Sequence, residues 1–303
     1  MSRPLLCLLP GAEHLGDALV RELSANIGEM EFHRFPDGET YIRFLSDPAH
    51  RHVALVACLN DPDAKLIPLL FAARAAHDLG AHSVGLIAPY MPYLRQDRAF
   101  HPGESVSARH IGAILSGSFS WVATVDPHLH RLSSLTDVFS IPNAVAHATG
   151  PIAQWIGSHV EAPMLFGPDA ESEQWVRAIA DACGAPYAVF HKERLGDESV
   201  HIDVPVAIDF GGHTPVIVDD VVSSGGTVLA LVSALLKRGS PPPACCVVHG
   251  LFSDAVLDRL KAVGAGPVVT TNSVRGPAGA IDITPPLADA VRKASKGTGA
   301  FSG

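Results

Sequence analysis

Short apolar runs alternate along this chain with longer stretches of helical periodicity. The longest helical stretch covers residues 63–79 and is closed by Gly80, and another covers residues 230–238 and is closed by Gly239. Strand-like apolar runs occur at residues 5–9, 52–58, 83–88, 121–125, 164–166, 205–209, 216–218 and 244–248. Apolar strands that alternate with helices are typical of parallel sheets covered by helices. The pattern therefore predicts an α/β fold with mainly parallel sheets flanked by helices.

Chain length and a weak point in this pattern predict two domains. A chain of 303 residues is too long for one core of average size. Small residues dominate the segment 142–150, so we place the boundary there, with an N-terminal domain at 1–143 and a C-terminal domain at 144–283. We expect a final helix near 286–294 to fold back, so that 284–303 joins the N-terminal domain. The segment 296–303 has the composition of a frayed tail.

Composition and charge narrow the classes of partner. Hydrophobic residues make up 47% and charged residues 17% of the chain, which is typical of a globular protein. A net charge of −9 argues against a surface that coats nucleic acid, and the apolar runs fall far short of the ~20 residues that a membrane helix needs. The N-terminus lacks a signal-peptide pattern, and the five cysteines have no metal-ligand spacing. These features favour a cytoplasmic protein without nucleic-acid or membrane partners.

The most specific segment is the string VIVDDVVSSGGT at residues 216–227. A β-branched strand delivers Asp219 and Asp220 to its carboxyl end, where ligands of open α/β sheets gather. The glycines that follow let the backbone approach a ligand, and the helix N-terminus with the Ser224 and Thr227 hydroxyls suits a phosphate dianion. The two carboxylates suit ribose hydroxyls or Mg²⁺. The simpler alternative, a strand with an ordinary turn and helix cap, accounts for less of the string.

Three further segments carry candidate nucleotide chemistry. In RFPDGE (34–39), a predicted hairpin or loop, the Phe35 ring could stack on a base while Asp37 and Glu39 accept hydrogen bonds. PYMPYLRQDR (89–98) follows a strand and offers two guanidinium groups that suit a polyphosphate. DPHLH (126–130) also ends a strand, and its Asp/His pair could bind a divalent metal. Taken singly, a Pro-Asp-Gly turn, a solvated charged loop and a plain turn are the alternatives.

In this order, the motifs resemble those of the ribose-phosphate diphosphokinase (PRPP synthetase) family. The resemblance covers about residues 5–275, and the 216–227 string alone is also similar to the ribose-phosphate loop of type I phosphoribosyltransferases. It implies two phosphoribosyltransferase-type domains related by an internal duplication, with the active site between them. The implied enzyme is a transferase that uses ATP and ribose 5-phosphate, needs Mg²⁺ and forms a homo-oligomer of at least two subunits. Its reaction would be in-line attack of the anomeric hydroxyl on the β-phosphorus of ATP, with release of AMP.

The resemblance also implies roles for individual residues. Adenine would be held, in a neighbouring subunit's site, by Phe35, Asp37 and Glu39. The ATP triphosphate would be held by Arg95, Gln96 and Arg98. Metal contacts would come from His128 and Asp169. The catalytic residues that clamp the developing charge would be Lys192 and Arg194 of an active-site flap. Ribose 5-phosphate would be bound by Asp169, Asp219, Asp220, Ser223, Ser224, Gly225, Gly226 and Thr227.

The chain departs from the family pattern at several points. The segment around Asp169 reads GPDAESEQW (167–175), without the family's two glycines, and Ser223 stands where an acid is common. Residues after Arg98 lack the basic run of phosphate-activated members and instead resemble an archaeal-type branch through the string FHPGE (100–104). We therefore expect weak or no activation by inorganic phosphate. The alternatives left open are a nucleobase phosphoribosyltransferase, a non-catalytic regulatory subunit, and use of ADP as well as ATP as the donor.

Overall fold

The computed structural model describes residues 3–129, 131–194, 200–203 and 210–301. In these ranges the strands are β1 Leu5–Leu8, β2 Asn26–Gly28, β3 Met30–Arg34, β4 Thr40–Phe44, β5 His52–Val56, β6 Ser83–Ile87, β7 Trp121–Val125, β8 Asn143–Ala146, β9 Pro163–Gly167, β10 Tyr187–Val189, β11 His191–Arg194, β12 Val200–Asp203, β13 Thr214–Val222, β14 Ala244–Gly250, β15 Val268–Thr271 and β16 Gly279–Ile281. The α-helices are α1 Gly16–Leu23, α2 Asp63–Asp78, α3 Ser107–Ser116, α4 Thr149–His159, α5 Glu173–Cys183, α6 Gly226–Lys237, α7 Asp254–Ala262 and α8 Thr284–Ser295.

The chain divides into two compact units, one made of residues 1–147 and 284–303 and the other of residues 148–283. Strand β8 pairs with β7, so residues 143–146 belong to the first unit and the division follows His147. Helix α8 also belongs to this unit, where it packs against β7 and β8. No helix in the described part of the chain is long and apolar enough to cross a membrane.

In the N-terminal unit, six strands form one parallel sheet in the order β2-β1-β5-β6-β7-β8. Every residue of β6 and β7 is buried, because helices cover both faces of such a sheet, and the sequence is therefore continuously apolar there. The indole of Trp121 on β7 packs where Gly85 on β6 leaves room, since a Cβ at Gly85 would lie 2.0 Å from the ring. Strands β3 and β4 form a separate antiparallel hairpin.

In the C-terminal unit, a second parallel sheet has the order β10-β9-β13-β14-β15-β16. Strands β11 and β12 form an antiparallel pair. The carboxyl ends of β9 and β13 lie side by side, because parallel neighbours end at the same edge of a sheet. The two sheets and their helices confirm the predicted fold class.

Several elements begin or end away from their predicted positions. Helix α1 begins at Gly16 rather than near Gly11, because residues 13–15 first form a 3₁₀ turn. Helix α6 begins at Gly226 rather than at residue 230, so its first turn lies inside the Gly-Gly segment. Gly80 and Gly239 follow their helices with φ of 86° and 78°, as the pattern predicted. The predicted strand at 205–209 lies outside the described residues.

The prediction of a frayed C-terminal tail is wrong for residues 296–301. Residues 296–298 form a 3₁₀ turn, and Ala300 and Phe301 are buried. The Phe301 ring meets Trp121 edge-on, with ring centroids 6.0 Å apart. This aromatic contact holds the tail on the N-terminal unit, because an edge-to-face pair adds to the burial of both rings.

Candidate active site

A cleft of about 240 Å³ opens in the N-terminal unit where the chain leaves β6. Its lining residues are Tyr90, Met91, Tyr93, Leu94, Arg95, Gln96, Ser107 and His128. The structure therefore brings together three residues to which the family resemblance assigns ATP or metal binding, namely Arg95, Gln96 and His128. An exposed guanidinium, an amide and an imidazole around one cleft suit a phosphorylated ligand.

The loop that carries Arg95 is held in place by long-range hydrogen bonds that the sequence did not reveal. The Tyr93 hydroxyl donates to Asp63 at the start of α2, and the Tyr93 backbone has a φ of 65°. Burial and the hydrogen bond to Asp63 raise the pKa of Tyr93 to about 12. The Ser107 hydroxyl donates to Gln96 Oε1 at 2.7 Å, and the Ala108 N–H donates to the Gln96 carbonyl at 3.2 Å. These contacts fix the loop on α2 and α3, which is the rigid support that a phosphate-binding loop needs.

Arg98, the second guanidinium of the loop, lies outside the residues that line the cleft. Its Cζ lies 4.8 Å from the centroid of the Phe100 ring, in the geometry of a cation–π contact. Between the two arginines, Asp97 pairs with Arg131 at 3.1 Å, and the Asp97 side chain is only 3% exposed. This pair could not be predicted from the sequence, because its partners are 34 positions apart in the chain.

The DPHLH segment is less regular than the sequence suggested. Asp126 has a φ of 30°, so the extended geometry that would align it with His128 does not persist. The Asp126 carboxylate lies 2.8 Å from His147 Nδ1, while His128 lines the cleft. The hydrogen bond to Asp126 raises the pKa of His147, although burial opposes this shift. Asp126 thus contacts His147, whereas His128 is the residue of the predicted Asp/His pair that lines the cleft.

The predicted adenine-binding residues lie on the turn between β3 and β4, which confirms the expected hairpin. The Phe35 N–H donates to the Glu39 carbonyl at 2.8 Å, and the Glu39 N–H donates to Asp37 Oδ1 at 3.1 Å. The Phe35 ring is 44% exposed and packs edge-on against His33 and Tyr41. None of the three predicted residues lines the cleft of this unit.

In the C-terminal unit, three carboxylates gather at the carboxyl ends of β9 and β13. Asp169 follows β9, while Asp219 and Asp220 lie inside β13, which continues two residues beyond them. Desolvation of the Asp219 carboxyl, followed by the negative charges of Asp220 and Asp169, raises the pKa of Asp219 well above its usual range. The Asp219 and Asp220 carboxylates also accept the backbone N–H groups of Asp220 and Val221. Such a concentration of negative charge favours a bound cation or a hydroxyl-rich ligand.

The segment after β13 forms a turn into the N-terminus of α6. Gly225 precedes the helix with a φ of 75° and, being a glycine, provides no side-chain cap. Ser223, Ser224 and Gly226 are exposed, whereas Gly225 is buried against Val256 of α7. The backbone N–H groups and positive dipole end of the helix therefore face an open surface, which suits a phosphate dianion.

The altered segment around Asp169 keeps this carboxylate in a defined position. Asp169 caps a 3₁₀ turn at residues 170–172, where its Oδ1 accepts the Ser172 N–H at 3.1 Å. The Ser172 hydroxyl donates in return to the Asp169 carbonyl at 2.6 Å. Gly167 is also required, because a Cβ there would lie 2.4 Å from the Ser172 hydroxyl oxygen. Reciprocal hydrogen bonds between Asp169 and Ser172 thus hold this segment, which lacks the two glycines of the family pattern.

For the two catalytic candidates, the structure describes only the backbone. Lys192 and Arg194 lie in β11, in register with Ile202 and Val200 of β12. Their side chains, and the segment 195–199 that follows, lie outside the described part of the structure. Among the described residues, no group of three or more His, Cys, Asp or Glu side chains has the arrangement of a metal site.

Two family models match the chain. Residues 6–118 match the N-terminal domain of ribose phosphate pyrophosphokinase, and residues 134–270 match the phosphoribosyl transferase domain. A ribose-phosphate pyrophosphokinase from Methanopyrus kandleri is 33% identical over 284 residues, which cover 93% of this chain and 96% of the relative. One from Saccharolobus solfataricus is 32% identical and covers 86% of this chain and 89% of the relative. The crystal structure of phosphoribosylpyrophosphate synthetase from Mycobacterium smegmatis superimposes with a TM-score of 0.81 at 25% identity, over 97% of this chain and all of the other.

Proposed function

Because this chain belongs to the ribose-phosphate pyrophosphokinase family, we propose that its N-terminal unit binds Mg·ATP and its C-terminal unit binds ribose 5-phosphate. The activity of the chain is that of a ribose-phosphate pyrophosphokinase, a transferase. The observation that carries the assignment of the donor is the cleft that combines Arg95, Gln96 and His128. A phosphoribosyltransferase that consumes PRPP needs the ribose-phosphate loop but has no use for a second cleft of this chemistry.

The acceptor is assigned to the turn between β13 and α6. The 5-phosphate would accept the backbone N–H groups at the start of α6, together with the Ser223, Ser224 and Thr227 hydroxyls. Asp219 and Asp220 would hold the ribose hydroxyls, because adjacent carboxylates accept the two hydrogen bonds that a vicinal diol offers. Asp169, whose charge acts on Asp219, would contact the ribose or a metal ion.

His128 and Asp169 are the residues that would contact Mg²⁺. Mg²⁺ usually takes one or two protein ligands and completes its shell with water and substrate phosphates, so two protein ligands would be enough to hold it. The raised pKa of Asp219 marks the carboxylate group as one that a cation would stabilise. When bound, Mg²⁺ would offset the negative charge of the phosphates and align them for in-line transfer.

The chain's own residues would align the reactants and stabilise charge. The transfer needs no covalent nucleophile, since the anomeric hydroxyl of ribose 5-phosphate attacks the β-phosphorus and AMP leaves. Lys192 and Arg194 would stabilise the negative charge that develops on the transferred group. Loss of one such contact typically lowers the rate about 10²- to 10³-fold.

We also propose that the chain works as a homo-oligomer of at least two subunits. The hairpin with Phe35, Asp37 and Glu39 lies outside its own unit's cleft, as expected of a segment that serves a partner's site. Phe71 on α2 and Tyr41 on β4 are exposed large apolar residues on contacting elements, which favours a protein interface. A monomeric mass by light scattering at assay concentrations would contradict this proposal.

Binding by calorimetry tests the two assignments separately. Arg95→Ala should weaken a non-hydrolysable ATP analogue by about tenfold or more, because it loses a charged hydrogen bond, and should leave ribose 5-phosphate unaffected. Asp220→Asn should show the converse pattern. Arg74→Ala, which removes an exposed ion pair with Asp78, serves as the control and should change neither affinity. Equal loss of both ligands in either active-site variant would contradict the division of binding between the two units.

A further inference from the structure

The string FHPGE after the RQDR loop forms a turn that closes on itself. The Phe100 N–H donates to the Glu104 carboxylate at 2.6 Å, and the Glu104 N–H donates to the His101 carbonyl at 3.3 Å. Gly103 has a φ of 88°, a backbone conformation that other residues rarely adopt. The turn therefore fixes the position of Phe100, whose ring is nevertheless 52% exposed.

Two guanidinium groups lie against this one ring. The Cζ atoms of Arg98 and Arg131 lie 4.8 and 5.5 Å from its centroid. Arg131 also pairs with Asp97, whose negative charge offsets the positive charge of Arg131. Within the described part of the chain, Arg98 has no carboxylate partner at ion-pair distance. The cluster of Asp97, Arg98, Phe100 and Arg131 therefore carries a net positive charge, concentrated on Arg98.

We propose that Phe100 and Arg131 are positioning residues that orient Arg98 toward the triphosphate of ATP. This inference rests on the assignment of Arg98 to ATP under the proposed function. Stacking uses the face of a guanidinium and leaves the N–H donors at its edge available for phosphate oxygens. The ring thus limits the rotamers of a long side chain without consuming its hydrogen-bond donors. The alternative role of the Phe100 ring is to stack on the base of ATP, and inhibition by tripolyphosphate distinguishes these two roles.

Arg131 has a second task in this arrangement. Asp97 separates Arg98 from Arg95 and Gln96, and its side chain is almost completely buried. Without Arg131, this carboxylate would place an unpaired negative charge next to a site for a polyanion. Arg131 offsets that charge and, through its contact with Phe100, joins the loop to the segment after His128.

Steady-state kinetics on two Phe100 variants test the stacking. Phe100→Leu keeps an apolar side chain but removes the π face, so the KM for Mg·ATP should rise about two- to fivefold. Phe100→Tyr keeps the face and should stay within about twofold of the wild type. The kcat and the KM for ribose 5-phosphate should change in neither variant. Equal behaviour of the two variants, or a parallel rise in both KM values, would overturn the proposal.

Inhibition by inorganic tripolyphosphate separates orientation of Arg98 from stacking on a base. Tripolyphosphate has no base, so its inhibition constant against ATP should rise in Phe100→Leu as much as the KM for ATP. An unchanged inhibition constant would mean that Phe100 contacts the nucleobase, which would contradict the proposal.

A double-variant comparison tests the role of Arg131. Arg131→Met should raise the KM for Mg·ATP about tenfold, because Asp97 is left unpaired near the phosphates. Asp97→Asn combined with Arg131→Met removes both charges and should recover most of this loss. Arg74→Met, at the exposed ion pair with Asp78, is the matched control and should leave the KM unchanged. A double variant as impaired as Arg131→Met would exclude the proposed role of the charge.

Arg98→Ala distinguishes failure of this inference from failure of the function on which it rests. If Arg98→Ala raises the KM for ATP and Phe100→Leu does not, only the positioning role is refuted. If Arg98→Ala itself leaves the KM unchanged, the assignment of Arg98 to ATP is refuted, and the positioning role with it.

Discussion

Gly225, at the start of α6, offers the sharpest test of the proposal that the turn after β13 binds ribose 5-phosphate. It has a φ of 75°, and a Cβ at this position would lie 2.6 Å from Val256 Cγ1 on α7. The buried side of the turn is thus closed by Val256, and the open side presents the first N–H groups of the helix. Gly225→Ala should distort both sides, because the backbone must relax from a left-handed conformation and move away from α7.

The cost follows from two separate effects. A left-handed conformation costs an L-residue about 1–2 kcal/mol, and insertion of a methyl group into a tight contact costs about 1–3 kcal/mol more. Gly225→Ala should therefore lower the free energy of unfolding by about 2–5 kcal/mol. Val256→Ala alone should cost about 1–2 kcal/mol for the lost side-chain packing. In the double variant the contact is relieved while the backbone strain and the lost packing of Val256 remain, so the two substitutions should couple favourably by about 1–3 kcal/mol.

Urea unfolding of the wild type, both single variants and the double variant measures this coupling. Steady-state assays of the same proteins should show a raised KM for ribose 5-phosphate in Gly225→Ala and an unchanged KM for ATP. Unfolding costs that add within about 0.5 kcal/mol would refute the contact with Val256. An unchanged KM for ribose 5-phosphate would refute the role of the turn in binding the acceptor.

Three further predictions follow from the site. Lys192→Ala should keep the fold and ribose 5-phosphate binding but lower kcat about 10²- to 10³-fold, so near-normal turnover would refute its catalytic role. The pKa of Asp219 is raised in the folded protein, so protonation of this carboxyl stabilises the fold. This contribution to the free energy of unfolding is fully present below pH ~4, the unfolded pKa, and is lost as the pH rises through the folded pKa. Without Mg²⁺, urea unfolding at pH 5 and pH 8 should therefore show a smaller loss of stability for Asp219→Asn than for the wild type, and equal losses would contradict the raised pKa. Inorganic phosphate should change the rate little, because the segment after Arg98 lacks a basic run, and a several-fold activation would be contrary to this expectation.

The sequence alone predicted the parts of the fold that depend on local pattern. Buried parallel strands such as β6 and β7 are continuously apolar, and helix ends at Gly80 and Gly239 have a conformational reason that is local to the chain. The turn at Gly225 was also predictable, because a strand, two glycines and a helix start follow one another directly. Its helix begins earlier than the apolar periodicity indicated, since its first residues, Gly226 and Thr227, are a glycine and a polar residue that do not belong to the apolar pattern.

Contacts between distant segments could not be predicted from one sequence. The Tyr93–Asp63 hydrogen bond and the Asp97–Arg131 pair join residues 30 and 34 positions apart, with no local sign of pairing. The tail was predicted to be frayed because it contains several glycines and polar residues, but the Phe301 ring packs against Trp121 on β7. Asp126 was expected to align with His128, but its positive φ turns the chain at that point.

The most direct test of the account is formation of products by the purified chain from Mg·ATP and ribose 5-phosphate without added phosphate. AMP and PRPP should appear in equal amounts, and neither should form when ribose 5-phosphate or Mg²⁺ is omitted. If neither product forms even when phosphate or ADP is supplied, the chain is not an autonomous diphosphokinase. That result would contradict the assignment of the Arg95 cleft to a reacting ATP.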